Sequence, residues 1–422
     1  MPYAPHCNIE GMGEIKILWL SNRFLGNDNG TTGTWLIALA ERMPQLKDIK
    51  LVNITIGKSK RIAQFNNSKI EQWLIPLSGL KRNGLPKKKC REKIRKLIED
   101  ISPSLIHVWG VENFWGTITA DMQHKIPVLL EIQGLKWTIA PKFYGELTLT
   151  QRLQTINFKE ILKMRNMFFE KHKYEFWGTI EQWIIRNHHH ISTHSTWAEA
   201  NVFAINPGCI MYKNQRMLRK EFTEAKSWVY NGQDVIFTSL SYITPFKGLY
   251  TVIKSLEIIK SLIPEIKLLI VGNIRVTGLR TDGYVKFLKR EIKKRKLQDN
   301  IEWAGGMNAE MLVQQLKKVS LSIFPSFVES YGLALAESMA LGVPCVASYN
   351  GGYGYLGEDE KNVLFFPAGD HAFCAFQIFR LLKSRILQEE LSRNSIGFIK
   401  MNNDPKYILD QQINIYNNIL KR

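Results

Sequence analysis

The sequence predicts an α/β protein built as two doubly wound parallel-sheet domains facing each other across a cleft. The character of its apolar runs is the first reason. IKILWLS, IKLVNITIG, SLIHVWG and IPVLLEIQG in the first half, and DVIFTSLS, IKLLIVG, NIEWAGG, VSLSIFPS and VPCVAS in the second, are nearly continuous in Val, Ile and Leu. Strands covered by helices on both faces read that way, whereas half-exposed strands alternate. Helical patterns separate these runs, as crossovers between parallel strands require. The third reason is a seam: the polar stretch KSWVYNGQ (226–233) divides the two strand series. It sets domains of residues 1–230 and 231–422, with the last helix returning to the first domain, and 422 residues suffice for two cores.

Composition narrows the function classes. At 45% hydrophobic and 23% charged residues the chain is ordinary globular protein, but 57 Lys and Arg against 38 Asp and Glu leave a net charge of +19. That charge predicts an anionic partner: nucleic acid, anionic lipid or a phosphate-bearing substrate. Single-strand binding needs basic grooves interleaved with exposed aromatics, and most of the 11 tryptophans fall inside helical or strand patterns, which argues against nucleic acid. The five cysteines (Cys7, Cys90, Cys209, Cys345, Cys374) lack CxxC spacing, so neither a disulfide framework nor a zinc site is expected, and a reducing cytoplasm fits. His188, His189 and His190 stand in a strand pattern, where neighbours point to opposite faces and do not converge on a metal. The run Ile15 to Leu20 is too short for a signal segment, and no run approaches the ~20 residues needed to span a bilayer.

Two segments suggest a membrane surface. KRNGLPKKKCREKIRK (81–96) carries nine basic residues and one acid. The helical insert 147–177 sets Phe158, Ile161, Leu162, Phe168 and Phe169 on one face, interrupted by Arg165. A solvated face and a helix packed on its own domain are the plain readings. Peripheral contact with an anionic leaflet is the functional one.

The chemistry concentrates in FPSFVESYGLALAESMALGVPCVAS, Phe324 to Ser348. LSIFPS reads as a strand, FVESYG as a turn, and LALAESMALG as a helix closed by Gly342 and Pro344. Gly332 marks the strand-to-helix corner, where a missing Cβ lets backbone approach a ligand. The helix N-terminus then offers free N–H groups and a positive dipole end, which suit a diphosphate. Glu329 precedes that helix and Glu337 lies inside it, where a carboxylate cannot cap its own helix. Carboxylates are poor phosphate ligands but good acceptors for hydroxyls, so the set matches a nucleotide-sugar. Both are expected to line an open cleft, so that replacing either leaves the fold intact.

Glu, seven residues, Glu within PS-x-x-E-x-x-G-x-x-x-x-E-x-M-A-x-G-x-P resembles the family 4 glycosyltransferases, retaining enzymes of the GT-B fold. The match runs through Pro325, Ser326, Glu329, Gly332, Glu337, Met339, Ala340, Gly342 and Pro344. The resemblance implies that Glu329 contacts the transferred sugar and Glu337 the ribose, with Ser330, Tyr331 and Leu333 beside the donor. In SYITPFKG (241–248), Lys247 takes the place of the phosphate-binding lysine, followed by Gly248. Tyr242 stands where the family has arginine, so a bidentate clamp on the diphosphate is lost. Arg275 is the candidate substitute. EWAGG (302–306) resembles the strand and turn lining the base site, with Gly305 at the turn. In the first domain, GNDNGTTG places Gly30 and Gly33 where they can approach phosphate or acceptor, and Gln133 stands where a sugar-facing histidine is usual. FAINPGCIMYKNQRMLRKEF (203–222) looks like a segment of some bacterial members. The resemblance covers most of the chain and is strong from Val235 to Asp370.

The implied activity is retaining, metal-independent sugar transfer from a nucleotide-sugar to an acceptor hydroxyl, with no cofactor beyond that donor substrate. The acceptor would be a sugar or lipid-linked sugar in surface polysaccharide or glycolipid assembly, handled at the inner face of the cytoplasmic membrane. A catalytically inactive GT-B scaffold is the alternative, because Tyr242 and Gln133 depart from the pattern.

Overall fold

The computed structural model describes residues 15–421 except 26–32, 47, 68–69, 163, 231, 274–275 and 278–279. The first sheet contains β1 (Ile15–Leu20), β2 (Ile49–Gly57), β3 (Ala63–Asn67), β4 (Ile70–Pro76), β5 (Leu105–Trp109), β6 (Val128–Glu131), β7 (His190–Thr193) and β8 (Ile210–Lys213), in the order β3-β4-β2-β1-β5-β6-β7-β8. Its strands run parallel except β3, which pairs antiparallel with β4 at the edge. The second half supplies β9 (Val235–Tyr242), β10 (Lys267–Asn273), a small hairpin of β11 (Val276–Thr277) and β12 (Arg280–Thr281), then β13 (Ile301–Gly305), β14 (Leu321–Phe324), β15 (Cys345–Tyr349) and β16 (Leu364–Pro367). Its main sheet is parallel throughout, in the order β13-β10-β9-β14-β15-β16.

Both faces of each sheet are buried, which is why the strands read as continuous apolar runs. On one face of the first sheet Leu18, Val52, Ile106 and Val108 meet Ile94 and Ile98 of the basic helix Lys88–Ile101. On the other, Ile17, Trp19 and Leu105 meet Ile408, Ile415, Tyr416 and Ile419 of the last helix, Pro405–Leu420. Each such side chain contributes about 1.5–3 kcal/mol when fully buried, so the C-terminal helix is held as part of the first domain. Tyr416 adds polar ties, its hydroxyl accepting from Trp19 Nε1 at 3.1 Å and lying 2.8 Å from His107 Nδ1.

Two organisational expectations change. The chain crosses between domains earlier than residue 230: Met217 belongs to the first core, while Leu218, Phe222 and Trp228 lie in the clusters of the second. Trp228 donates its Nε1–H to Val319 O at 2.7 Å, so the polar stretch after it is a surface loop leading into β9 rather than the seam. The insert is also not one helix. It breaks into Leu149–Gln154, begun by a Thr148–Gln151 capping box, then Phe158–Leu162, and Met167–Arg186, which starts afresh where Asn166 accepts from Phe168 N and Phe169 N. Phe158 and Leu162 are left 72% and 70% exposed, so they share no buried face with Phe168 and Phe169.

The histidine run does not converge. His188 is buried, its Nδ1–H donating to Ile184 O (2.8 Å) and its Nε2 accepting from Thr119 Oγ1 (3.0 Å), whereas His190 faces Tyr212. Burial lowers the His188 pKa to about 4. The fold therefore holds the neutral ring, and its stability is complete above the unfolded pKa of about 6.5 and lost as pH falls from there toward 4. The expected loss is about 3 kcal/mol. Thermal denaturation from pH 7 to 4.5 should show it, and His188→Asn should flatten the dependence.

Candidate active site in the interdomain cleft

The order of the second sheet reverses between β9 and β14, and ligands of open α/β sheets bind at the carboxyl ends of strands on either side of such a point. The loops leaving those two strands carry the predicted residues. After β14 the chain turns at Gly332, which caps the helix Leu333–Ala340 with φ of +102°, a left-handed conformation that glycine adopts without penalty. A Cβ there would also lie 2.5 Å from the Tyr353 ring. The helix ends at Gly342, φ +79°, whose N–H donates to Met339 O at 3.0 Å.

A cavity of about 300 Å³ opens at this point between the domains. Glu329, Lys247 and Glu337 line it from the second domain, with Ser330, Tyr331, Gly332 and Leu333 at the corner. Gln133 and Gly33 line it from the first domain, and Arg216 and Arg219 from the crossing segment. Each carboxylate has its own cation. Lys247 Nζ lies 2.6 Å from Glu329 Oε2, and Arg219 grips Glu337 as a fork, Nε to Oε1 at 2.7 Å and Nη2 to Oε2 at 2.8 Å. An ionised carboxylate offers about four acceptor positions, so both retain capacity for ligand hydroxyls. Glu337, the fifth residue of its helix, is only 6% exposed, which Arg219 makes tolerable.

The cleft is latched across the domains at Ser330. Its carbonyl accepts from His194 Nε2 at 3.0 Å and Ser195 Oγ at 3.2 Å, and its hydroxyl donates to Gln133 O. Behind His194 stands Arg216, buried, stacked 4.1 Å over the Trp35 ring, and paired with Glu131 at 2.8 Å. Arg216 Nη2 donates to His194 Nδ1 at 2.8 Å and to Ile132 O at 2.5 Å. Burial, then the Arg216 charge, hold His194 well below the ordinary histidine range, so the ring is neutral, donating through Nε2 and accepting at Nδ1.

The second domain matches a known family. The pattern of the family described as Glycosyl transferases group 1 covers residues 220–397, beginning two residues after the crossing into the second core. Through this segment the chain is similar to the group 1 glycosyltransferases. Among curated relatives it is 26% identical over 159 residues to the phosphatidyl-myo-inositol mannosyltransferase of Mycobacterium leprae, 37% of this chain and 39% of that protein. It is 34% identical over 99 residues to the D-inositol 3-phosphate glycosyltransferase of Acidothermus cellulolyticus, 24% of this chain and 22% of that one. The matched segments thus span well under half of these relatives' lengths. The fold is shared end to end with solved structures. Sucrose-phosphate synthase from Thermosynechococcus elongatus superposes with a TM-score of 0.72 at 16% identity, covering 96% of this chain and 99% of that one. Anabaena HepE, in complex with UDP and glucose, gives 0.67 at 14%, covering 96% and 100%. The architecture is GT-B.

Other residues predicted from the sequence fall beside the cavity rather than in it. Tyr242 is 46% exposed and lines a neighbouring cavity, while Ser239, Leu240 and Ser241 before it line the donor-sized one. Gly248 is placed by packing: with φ +73°, an added Cβ would meet Pro325 O at 2.0 Å. Gly305 has open space around it, and its neighbour Gly306 makes the lining. Gly30 and Arg275 lie outside the described residues. Among the described residues no group of three or more His, Cys, Asp or Glu could hold a metal, and no helix is long and apolar enough to cross a membrane. The sequence reading misses Arg216 and Arg219. Their one signal is position, two arginines around Met217 and Leu218, the residues that enter different cores.

Proposed function

We propose that the protein transfers a sugar from a nucleotide-sugar to an acceptor hydroxyl with retention of anomeric configuration. One observation carries this reading: the cavity brings a glycine-turned helix N-terminus, Lys247 and two separately paired carboxylates together at a topological switch point. The helix end and Lys247 offset the diphosphate as it departs, so the transfer runs without a metal. Glu337, oriented by the Arg219 fork, accepts from the ribose hydroxyls. Glu329 accepts from the sugar and faces its ring as positive charge builds. The bond from C1 to the diphosphate oxygen breaks while the bond from C1 to the acceptor oxygen forms on the same face. The acceptor proton passes to the leaving phosphate oxygen. The likeness to a structure that holds UDP and glucose supports the donor class.

A thermal-shift panel of UDP-, GDP- and ADP-sugars tests the reading, since a ligand at 100 times its Kd stabilises by about 2.7 kcal/mol. Stabilisation by none of them would favour the inactive scaffold. Lys247→Ala should weaken the binding donor by about 1.5–3 kcal/mol, the scale of a charged hydrogen bond, and leave Glu329 without its cation. Unchanged affinity would mean that the β9 loop does not hold phosphate.

The acceptor reading is a sugar or lipid-linked sugar used in polysaccharide or glycolipid assembly at an anionic membrane face. Exposed Lys87, Lys88, Lys89 and Lys93 on the basic helix support it. Each cation near such a surface contributes about 1 kcal/mol. Sedimentation with anionic vesicles should be strong at low salt and fade as salt rises. Equal recovery with neutral vesicles would sink the electrostatic docking.

A further inference from the structure

The geometry points to a second ligand site, for the uncharged saccharide head of an amphipathic acceptor, in the cavity between the helical insert and the β9 loop. This assignment rests on the transferase reading above. The cavity is about 430 Å³, larger than the donor-sized one at about 300 Å³. Lys247 lines both, so the two chambers meet at the residue assigned to the donor phosphate.

The walls suit a sugar. Phe143, Tyr174 and Phe246 form a three-ring cluster with centroids 5.2–5.9 Å apart, offering apolar faces to pyranose rings. Tyr242, at the position where the family has arginine, turns its ring to this chamber, which gives that departure a physical reason. Glu160, Glu170 and Asp282 line the chamber against Arg165 and Lys247, an acidic balance inside a chain of net charge +19. Carboxylates repel phosphate and accept from hydroxyls, so the head group here is a neutral sugar. Glu160 and Asp282 already accept from the N–H groups of Gly283, Tyr284 and Val285, and keep further lone pairs.

The rim suits a hydrocarbon chain. The same segment that supplies Thr155 and Glu160 to the wall exposes Leu149, Leu153, Ile156, Phe158 and Leu162 to solvent. Five large exposed apolar side chains within fourteen residues are a local concentration rather than isolated exposures. Met164 follows them, and Arg82 Nη2 lies 3.6 Å from Met164 Sδ, joining these residues to the basic segment 81–96. Sugar in the chamber, alkyl chain along these residues and anionic surroundings against the lysines describe one amphipathic occupant.

Dodecyl maltoside below its micelle concentration, free maltose and UDP are the probes, with binding to the full chain read by calorimetry. Dodecyl maltoside should bind at least about tenfold tighter than maltose, the equivalent of about 1.4 kcal/mol from the chain. Phe158→Asp should erase that difference with UDP affinity unchanged. Tyr242→Ala, at a half-exposed wall residue of the chamber, should weaken both glycosides severalfold without lowering the Tm. Equal affinity for the two glycosides, or a Phe158→Asp variant that keeps the preference, would overturn the assignment, as would failure of both to bind. Glycoside binding with these variant effects but no binding of any nucleoside diphosphate would uphold the cavity and overturn the transferase reading instead.

Discussion

Replacing Glu329 by Gln is expected to lower kcat by about 10²-fold or more while leaving nucleotide affinity at or above that of the natural protein. Glu329 pairs with Lys247 at 2.6 Å. In the free protein that contact neutralises both groups at the mouth of the helix dipole. When the donor binds, the lysine has a second anion to face, and the carboxylate is released toward the sugar ring. As the diphosphate leaves, C1 gains positive charge, and a carboxylate beside it stabilises that charge only in the transition state. Loss of such an interaction lowers kcat rather than raising KM. Gln keeps the shape and one acceptor, so the sugar remains oriented while the charge is gone. Lys247, no longer held by Glu329, is freer to bind free nucleoside diphosphate, so its affinity should hold or tighten. Steady-state rates beside nucleotide calorimetry decide it: a variant with normal kcat, or one unable to bind nucleotide, would remove Glu329 from this role.

Much of this site was legible because it is local. Gly332, Glu329 and the helix that follows lie within one strand-turn-helix unit, and a glycine in the left-handed region, a helix N-terminus and a closing Gly-Pro pair all leave marks at fixed spacing. The parallel sheets were legible for a similar reason, since burial on both faces writes a continuous apolar run. Where local rules gave out, the structure departs. The β3–β4 edge pair reads AQFNN and IEQWLIP, broken by polar residues because an edge is only half covered, so it carries no buried-strand mark. The crossing at Met217 and Leu218 is set by which core each side chain enters, and the polar stretch nearby outweighed it. Arg219 was the largest omission. It meets Glu337 across 118 residues of sequence, and nothing in the spacing of either residue reports a partner so distant.

That omitted pair gives the second large expectation: Arg219→Ala should destabilise the protein by about 3–5 kcal/mol and abolish measurable donor binding. The Glu337 side chain is 8% exposed and that of Arg219 14%, so the pair sits close to the buried limit, where solvent screens little. Removing one partner leaves the other charge buried without compensation, and that penalty is larger than the net worth of the intact pair. Glu337→Gln should therefore also cost stability, against the sequence-based expectation of an open cleft, because it strands the guanidinium. The two effects can be separated. An Arg219→Met, Glu337→Leu double variant removes both charges and fills similar space, so its Tm should return toward that of the natural protein, as buried pairs replaced by apolar residues often do. Its donor affinity should not return, because no carboxylate remains for the ribose hydroxyls. Arg219→Lys should fall between, keeping a cation but losing the two-point fork that orients both carboxylate oxygens. Thermal denaturation and nucleotide calorimetry on these four variants make a complete test. If Arg219→Ala melts like the natural protein and still binds donor, the fork neither supports the fold nor positions Glu337. If instead the double variant recovers donor binding along with stability, Glu337 acts only as a structural anion, and the ribose must be held by another group in the cleft.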